Sequence, residues 1–98
     1  MDFGGILEAV TAQAANVAPF GAKLKFAFGD DVILIDGTGD SNIVTAEDGE
    51  AACTISTDLD TFEKLKSGDL NPMMAVMTGK VKIKGDMGLA MKLQSLIQ

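Results

Sequence analysis

Side chains that could do acid–base or nucleophilic chemistry are scarce in this chain, which contains no histidine and a single cysteine, Cys53. The lack of histidine excludes a histidine general base. A nucleophilic Cys53 would need a neighbour that lowers the pKa of its thiol, and the adjacent residues are Ala52 and Thr54. One cysteine provides neither an internal disulfide nor a metal cluster. We therefore expect Cys53 to be a small buried apolar residue.

Two pairs of carboxylates stand close together in the sequence, Asp30 with Asp31 and Asp58 with Asp60. Each pair lies at a predicted turn or helix start, where aspartate is favoured because its side chain bonds to the local backbone. No surrounding sequence would bury one member and raise its pKa, as acid–base catalysis requires. The segment "GTGDSN" lacks the spacing and the Lys-Ser/Thr ending of a phosphate-binding loop. We predict a protein that is not an enzyme and uses no cofactor or metal ion.

Apolar residues are concentrated near the end of the sequence, where residues 71–93 hold five of the six methionines. Methionine side chains are flexible and fill irregular space, so they suit contents of variable shape. The helix predicted over 72–78 is apolar on every side, and we expect it to be covered on every side. The last predicted helix has two apolar faces, made of Met87 and Met91 on one side and of Leu89, Leu93 and Leu96 on the other. The excess apolar surface either lines a cavity for an apolar ligand or meets a partner.

Charge is unevenly distributed along the chain, whose eight lysines and fourteen acids give a net charge of −6. Residues 1–79 contain four lysines and thirteen acids, a balance of −9, whereas residues 80–98 contain four lysines and Asp86, a balance of +3. Nucleic-acid-binding proteins normally combine a basic surplus with stacking aromatic residues. This chain is acidic and has no Trp or Tyr, so we expect no nucleic-acid partner.

Three lysines, Lys80, Lys82 and Lys84, alternate with Val81 and Ile83 and are predicted to share one face of a strand. Such a row is typical of a solvated sheet face or of an edge strand protected against aggregation. It also fits a patch that meets the anionic headgroups of a membrane, where each lysine contributes ~1 kcal/mol. Both interpretations remain open.

The apolar periodicity predicts the elements that position these residues. Helices are predicted over 3–17, from Asp60 to Gly68, from Pro72 to Gly79, and from Asp86 to Leu96, with Asp2, Asp60, Asn71 and Asp86 as N-caps. Strands are predicted at "AKLKFAF", "VILID", "IVTA", "AACTIS" and "KVKIK". The longest apolar runs are too short to span a membrane, and no secretory signal is evident. We expect one soluble domain over residues 1–98.

The segment "NPMMAVMTGKVKIKGDMGLAMKLQSLI" resembles the sterol carrier protein type 2 family of non-specific lipid-transfer proteins. The resemblance depends on Asn71-Pro72, on Met77 to Gly79, on the alternating lysine strand, on Gly85 and on "MGLAMKLQ" at 87–94. The upstream elements agree in order, so the resemblance covers roughly residues 3–98. The family commonly has a polar pair where this chain has Met73-Met74, which implies a more apolar entrance or an intermolecular contact.

This resemblance implies an α+β fold in which helices pack on one face of a five-stranded mixed sheet, with a crossover between the third and fourth strands. An apolar tunnel between sheet and helices would bind and carry a fatty acid, acyl-CoA, sterol or phospholipid without catalysis. The resemblance places its walls at Met73 to Met77, at Ile83 and at Met87 to Gln94. The site residues predicted from these ranges are Met73, Met74, Met77, Ile83, Met87, Leu89, Met91, Leu93 and Gln94. Gln94 is the polar group that would meet the ligand head.

A second hypothesis treats the chain as a ligand-free interaction module, whose apolar helices form a homodimer or dock on a partner enzyme. The sequence leaves open whether the protein is a monomer or a homodimer. The final residues "LIQ" are not a peroxisomal address, so we expect a cytoplasmic protein.

Overall fold

Nine helices and strands follow one another in the computed structural model, which describes residues 2–92. In chain order they are α1 Phe3–Ala14, β1 Lys23–Phe28, β2 Asp31–Asp36, β3 Ile43–Thr45, β4 Cys53–Ser56, α2 Leu59–Ser67, α3 Pro72–Met77, β5 Lys82–Gly85 and α4 Met87–Lys92. The strands form one sheet in the order β3-β2-β1-β4-β5. β1 pairs parallel with β4, and the other neighbours pair antiparallel. The five-stranded mixed sheet and the crossover between β3 and β4 are thereby confirmed.

One face of the sheet, which we call the inner face, is apolar because β1 alternates strictly. Leu24, Phe26 and Phe28 are buried there, while the residues between them are not. The ring of Phe62 in α2 lies 5.3 Å from that of Phe26, in an edge-to-face arrangement. The ring of Phe3 in α1 lies 6.2 Å from that of Phe28. The helices therefore pack on the inner face, as predicted.

Cys53 lies on the inner face, paired with Leu24, and is fully buried. This confirms that it is a small core residue. Burial raises the pKa of the Cys53 thiol, and the charge of Asp86 raises it further. The thiol is therefore protonated at neutral pH and is a poor nucleophile.

The crossover, residues 46–52, contacts the opposite face of the sheet, which we call the outer face. Lys25 and Leu34 are paired on that face. The Nζ atom of Lys25 lies 2.7 Å from Oδ1 of Asp48. A Cβ atom added at Gly49 would lie 3.2 Å from the side chain of Leu34. The ion pair and this close approach hold the crossover against the sheet.

α1 begins at its predicted cap but ends earlier than predicted. Oδ1 of Asp2 accepts a hydrogen bond from the backbone N–H of Gly5 at 2.8 Å. The helix ends at Ala14, not at Val17. The side-chain amide of Asn42 donates hydrogen bonds to the carbonyl oxygens of Ala14 and Val17 at 3.3 and 3.0 Å. Asn42 therefore satisfies carbonyl groups that another helical turn would have used, and it ties the end of α1 to the segment before β3.

The N-cap of α2 is Asp58, and the prediction of Asp60 was wrong. Asp58 has an extended backbone, and its Oδ1 accepts a hydrogen bond from the N–H of Thr61 at 2.6 Å. Asp60 lies inside the first turn, where its carboxylate is 3.6 Å from Lys64 Nζ. Gly68 ends the helix in a left-handed conformation, with φ 86°, as predicted.

α3 and α4 begin as predicted. Oδ1 of Asn71 accepts a hydrogen bond from the N–H of Met73, and Oδ1 of Asp86 accepts one from the N–H of Gly88, both at 2.8 Å. The predicted end of the last helix, Leu96, lies outside the described residues. None of the helices in the described part of the chain has the length and apolar content needed to cross a membrane.

Candidate functional site

An apolar cavity of about 300 Å³ lies between the inner face of the sheet and helices α2, α3 and α4. Its floor is one row of the sheet, because Phe26, Ile55 and Ile83 are paired across β1, β4 and β5. Phe62 and Leu65, three residues apart on α2, form one wall. This cavity is the candidate site. A continuous tunnel, which the resemblance implied, stays a prediction.

The remaining walls come from α3, α4 and the segment between them. The lining residues there are Met73, Val76, Met77, Val81, Met87, Ala90 and Met91. Gly85 positions α4, because it has φ 105° and an added Cβ atom would collide with the carbonyl oxygen of Ala52. The helix therefore follows β5 in a tight turn and lies over the inner face.

Four methionines form the rim of the cavity. Met73, Met77, Met87 and Met91 all line it, yet their exposed fractions are 65%, 78%, 56% and 68%. The expectation that the helix over 72–78 is covered on every side was wrong. Of its described side chains only Ala75 is buried, because α3 is short and contacts the rest of the protein through one side. The methionines leave the cavity open to solvent.

Polar chemistry is nearly lacking around the cavity. Among its described lining residues only Thr57 has a polar side chain, and its hydroxyl donates a hydrogen bond to the carbonyl oxygen of Lys80 at 3.0 Å. This bond occupies the donor that Thr57 could have offered to a ligand. The arrangement can exclude water from an apolar molecule, and no acid or base is found among the lining side chains within residues 2–92.

The structure brings together five of the residues predicted for the site, namely Met73, Met77, Ile83, Met87 and Met91. Their role in binding lipid stays a prediction.

Two further predicted residues, Met74 and Leu89, are not among the residues that line the cavity. Met74 is half-exposed on another side of α3 from Met73 and Met77, which are four residues apart and share a face. Leu89 is buried in the core, off the helical face shared by Met87, Ala90 and Met91. Met74 and Leu89 therefore do not line this cavity, and a role for them in binding lipid stays a prediction. Leu93 and Gln94 lie outside the described residues.

Sequence reasoning missed part of the lining, namely Phe26, Ile55, Thr57, Phe62, Leu65 and Val81. Most of them lie in the predicted strands and helices, but their periodicity does not mark them as lining, because a cavity wall and a packed core show the same apolar spacing. The signal that distinguishes them is the sheet register, which places Phe26, Ile55 and Ile83 in one row.

The lysine row is divided between two environments. Lys82 and Lys84 lie on the outer face, paired with Ser56 and Thr54 of β4. The prediction that Lys80 shares this strand face was wrong, because β5 begins at Lys82. The backbone N–H of Lys80 instead donates to the carbonyl oxygen of Ala75, which pulls the residue towards α3.

Lys80 also acts on the cap of α2. The hydrogen bonds from Thr61 hold the pKa of Asp58 below its ordinary value, and the charges of Lys64 and Lys80 add smaller contributions in the same direction. The charge of Lys80 thus reaches an acid at the start of another element.

Comparisons with known proteins agree with this fold. Sterol carrier protein 2 from Homo sapiens is 45% identical over 58 residues, which are 59% of this chain and 11% of that protein. The match thus spans about a tenth of this relative's length.

Two solved structures share the fold over nearly the whole chain. The solution NMR structure of palmitated SCP2L2 from Aedes aegypti has a TM-score of 0.71 and 20% identity, and covers 100% of this chain and 96% of that one. The apo form of Sterol Carrier Protein 2 from Yarrowia lipolytica has a TM-score of 0.66 and 21% identity, over 94% of this chain and 73% of that one. The model of the SCP-2 sterol transfer family matches residues 5–98. The chain therefore belongs to the SCP-2 sterol transfer family.

Proposed function

We propose that this protein binds one hydrophobic molecule with a long acyl chain and carries it without changing it chemically. The observation behind this proposal is the apolar cavity with an open methionine rim. Membership of a sterol transfer family supports it. A structural relative described as palmitated supports an acyl ligand in particular.

The size of the cavity favours a slender ligand. About 300 Å³ is at the lower end of the range found for small-molecule sites. A fatty acid or an acyl-CoA thioester could place its chain in the cavity and leave its polar head in water beyond the rim. Sterols and two-chain phospholipids have bulkier apolar parts, and they would require the methionines to move further apart.

Water exclusion is the proposed source of affinity. Each buried CH₂ contributes about 0.8 kcal/mol, so a sixteen-carbon chain contributes roughly 12 kcal/mol before costs. The lost freedom of the ligand reduces this considerably. Because one methylene changes affinity by only about 1 kcal/mol, selectivity among chain lengths should be broad.

Binding is tested with protein that has been purified gently and then delipidated. Native mass spectrometry before delipidation should show a co-purified lipid at one molecule per chain. After delipidation, a fluorescent fatty acid should bind saturably with the same stoichiometry. A protein that carries no lipid and shows no saturable binding would contradict the proposal.

A second function is favoured by the exposed methionines, which could serve an interaction module without a ligand. In that case native mass spectrometry would show a ligand-free dimer or a complex with a partner enzyme. We favour the carrier, because a surface used only for docking has no need of a cavity behind it.

A carrier would work between membranes, so we also propose a cytoplasmic location, which cell fractionation would test.

A further inference from the structure

Strand β5 forms one edge of the sheet, opposite to β3. This edge combines an apolar surface with a basic one. On its inner side lie the exposed Met87 and Met91 of α4, and on its outer side lie the exposed Lys82 and Lys84. We propose that this edge docks on an anionic lipid bilayer and that the ligand passes between bilayer and cavity there. The inference rests on the proposed function, since it assumes that the cavity takes a lipid.

Ligand binding alone does not explain the apolar part of this surface. Met74 is 51% exposed although it does not line the cavity. Together with the rim methionines Met73 and Met77 it makes α3 apolar on its solvent side. A contiguous exposed apolar patch usually marks an interaction site. Flexible methionine side chains can enter the disordered boundary between headgroups and acyl chains.

Charge points to an anionic bilayer as the occupant. Residues 71–92 contain four lysines and a single acid, Asp86, in a chain whose net charge is −6. The carboxylate of Asp86 accepts hydrogen bonds from the N–H groups of Gly88 and Leu89, so it is directed at the start of α4. An anionic surface would attract this edge and repel the acidic remainder of the protein, which orients the cavity mouth towards the membrane.

A second copy of the chain fits this surface less well. A symmetric contact between two β5 edges brings the same residues of both copies together. Lys82 and Lys84 would then face the lysines of the other copy, and like charges directly opposite each other are destabilising. Anionic headgroups would neutralise the same lysines.

Vesicle binding is the test, with delipidated protein at low salt. Vesicles of phosphatidylcholine mixed with phosphatidylserine should bind the parent protein, and pure phosphatidylcholine should bind it much more weakly. Lys82→Gln with Lys84→Gln should lower the affinity about 30-fold, roughly 5-fold for each lysine. Met74→Gln should lower it about 5-fold while leaving fluorescent fatty-acid binding unchanged, because Met74 does not line the cavity.

Matched controls come from strands that are not adjacent to β5. Ile43→Gln removes a 59% exposed apolar side chain from β3, at the opposite edge. Lys23→Gln removes an exposed lysine from the outer face of β1. Both controls should bind the mixed vesicles like the parent protein.

Each contrary result has a distinct meaning. Equal binding of parent, Met74→Gln and the double lysine variant to the mixed vesicles would overturn the docking inference, even if fatty acid still binds. A parent dimer in solution that Met74→Gln dissociates would assign the surface to a second copy and overturn it as well. Vesicle binding with the predicted variant effects, but without fatty-acid binding, would support the docking edge and refute the carrier function.

Discussion

Ala75 and Ala90 are small side chains buried in the helical layer, but they have different surroundings. Ala90 lines the cavity, whereas Ala75 lies in the packed core and does not. The carbonyl oxygen of Ala75 also accepts hydrogen bonds from the N–H groups of Lys80 and Val81. Enlarging Ala90 should therefore weaken ligand binding, whereas enlarging Ala75 should lower the stability of the fold.

Ala90→Leu should weaken acyl-chain binding with little loss of stability. The added carbon atoms would occupy cavity space that the ligand needs. The binding free energy should therefore weaken by about 2 kcal/mol, which is roughly 30-fold in affinity. Fluorescent fatty-acid titration measures this. Ala75→Leu is the control and should lose about 1–3 kcal/mol in urea unfolding, because no space is available there. Parent-like affinity of Ala90→Leu would show that the ligand does not use this cavity.

The Lys25–Asp48 ion pair should make stability depend on pH. The hydrogen bond from Lys25 and that from the N–H of Gly49 hold the pKa of Asp48 below its ordinary value. A lowered folded-state pKa gives stability that is present above the unfolded pKa, about 3.9, and is lost as pH falls through the folded value. Asp48→Asn should therefore be less stable than the parent protein at neutral pH and equally stable in strong acid.

Thermal unfolding across this pH range checks the Asp48 prediction, with Asp40→Asn from another exposed turn as control. Because Asp48 is exposed, the difference between parent and variant should also shrink in high salt. A difference that does not vary with pH would mean that the carboxylate charge is not what stabilises the crossover.

Among the elements, α2 depends on one correctly placed cap. Asp58 precedes the helix and has an extended backbone, and its side chain accepts a hydrogen bond from the N–H of Thr61. Asp60 lies within the first turn. Both aspartates lie near the start of the same polar helical segment, so the sequence pattern alone does not show which of them is the N-cap. The backbone conformation does, because only a non-helical residue can turn its side chain back to the first free N–H groups.

Asp58→Ala should cost about 1 kcal/mol of unfolding free energy, because the N–H of Thr61 loses its acceptor. Asp60→Ala should cost only about 0.3–0.5 kcal/mol, since it removes an exposed pair with Lys64 and no cap. Urea unfolding of both variants gives the comparison. If Asp60→Ala lost as much unfolding free energy as Asp58→Ala, or more, the assignment of Asp58 as the N-cap would be contradicted.

At the scale of the whole molecule, the cavity leaves part of the domain interior without packing. A chain of 98 residues buries a modest core, and here a cavity of about 300 Å³ lies between sheet and helices where side chains could otherwise pack. The side chains that line the cavity would gain dispersion contacts from a bound apolar molecule. The folded state should therefore be markedly more stable with ligand than without it.

Fatty acid at a hundredfold excess over its dissociation constant should stabilise the protein by about 2.7 kcal/mol, because the ligand binds the folded state only. For a domain of this size that corresponds to a rise of roughly 10–20 °C in the melting temperature. Differential scanning fluorimetry of delipidated protein measures it. Ala90→Leu, tested at the same ligand concentration, should show a much smaller rise. An unchanged melting temperature of the parent protein would contradict binding in the cavity.

The sequence alone determined the features that depend on neighbours in the chain. The strand predicted at "AKLKFAF" contains β1, in which Leu24, Phe26 and Phe28 alternate, and Asn71 with Pro72 predicted the start of α3. Hydrogen-bonded caps and strand alternation arise within a few residues, so local patterns contain them. The motif at 71–97 also identified the family, because it joins several such elements in a fixed order.

Tertiary structure decided what depends on residues that are far apart in the chain. Asn42, which lies 28 residues beyond Ala14 in the chain, donates hydrogen bonds to the carbonyl groups of Ala14 and Val17, and no pattern within the helix could show that. The register of β1, β4 and β5 placed Phe26, Ile55 and Ile83 in one cavity floor. Apolar spacing in the sequence is the same for a packed core and for the wall of a cavity. It is also the same for a buried methionine and for an exposed one. Only the packing of α3 and α4 over the sheet left that space open and put the methionines at its rim.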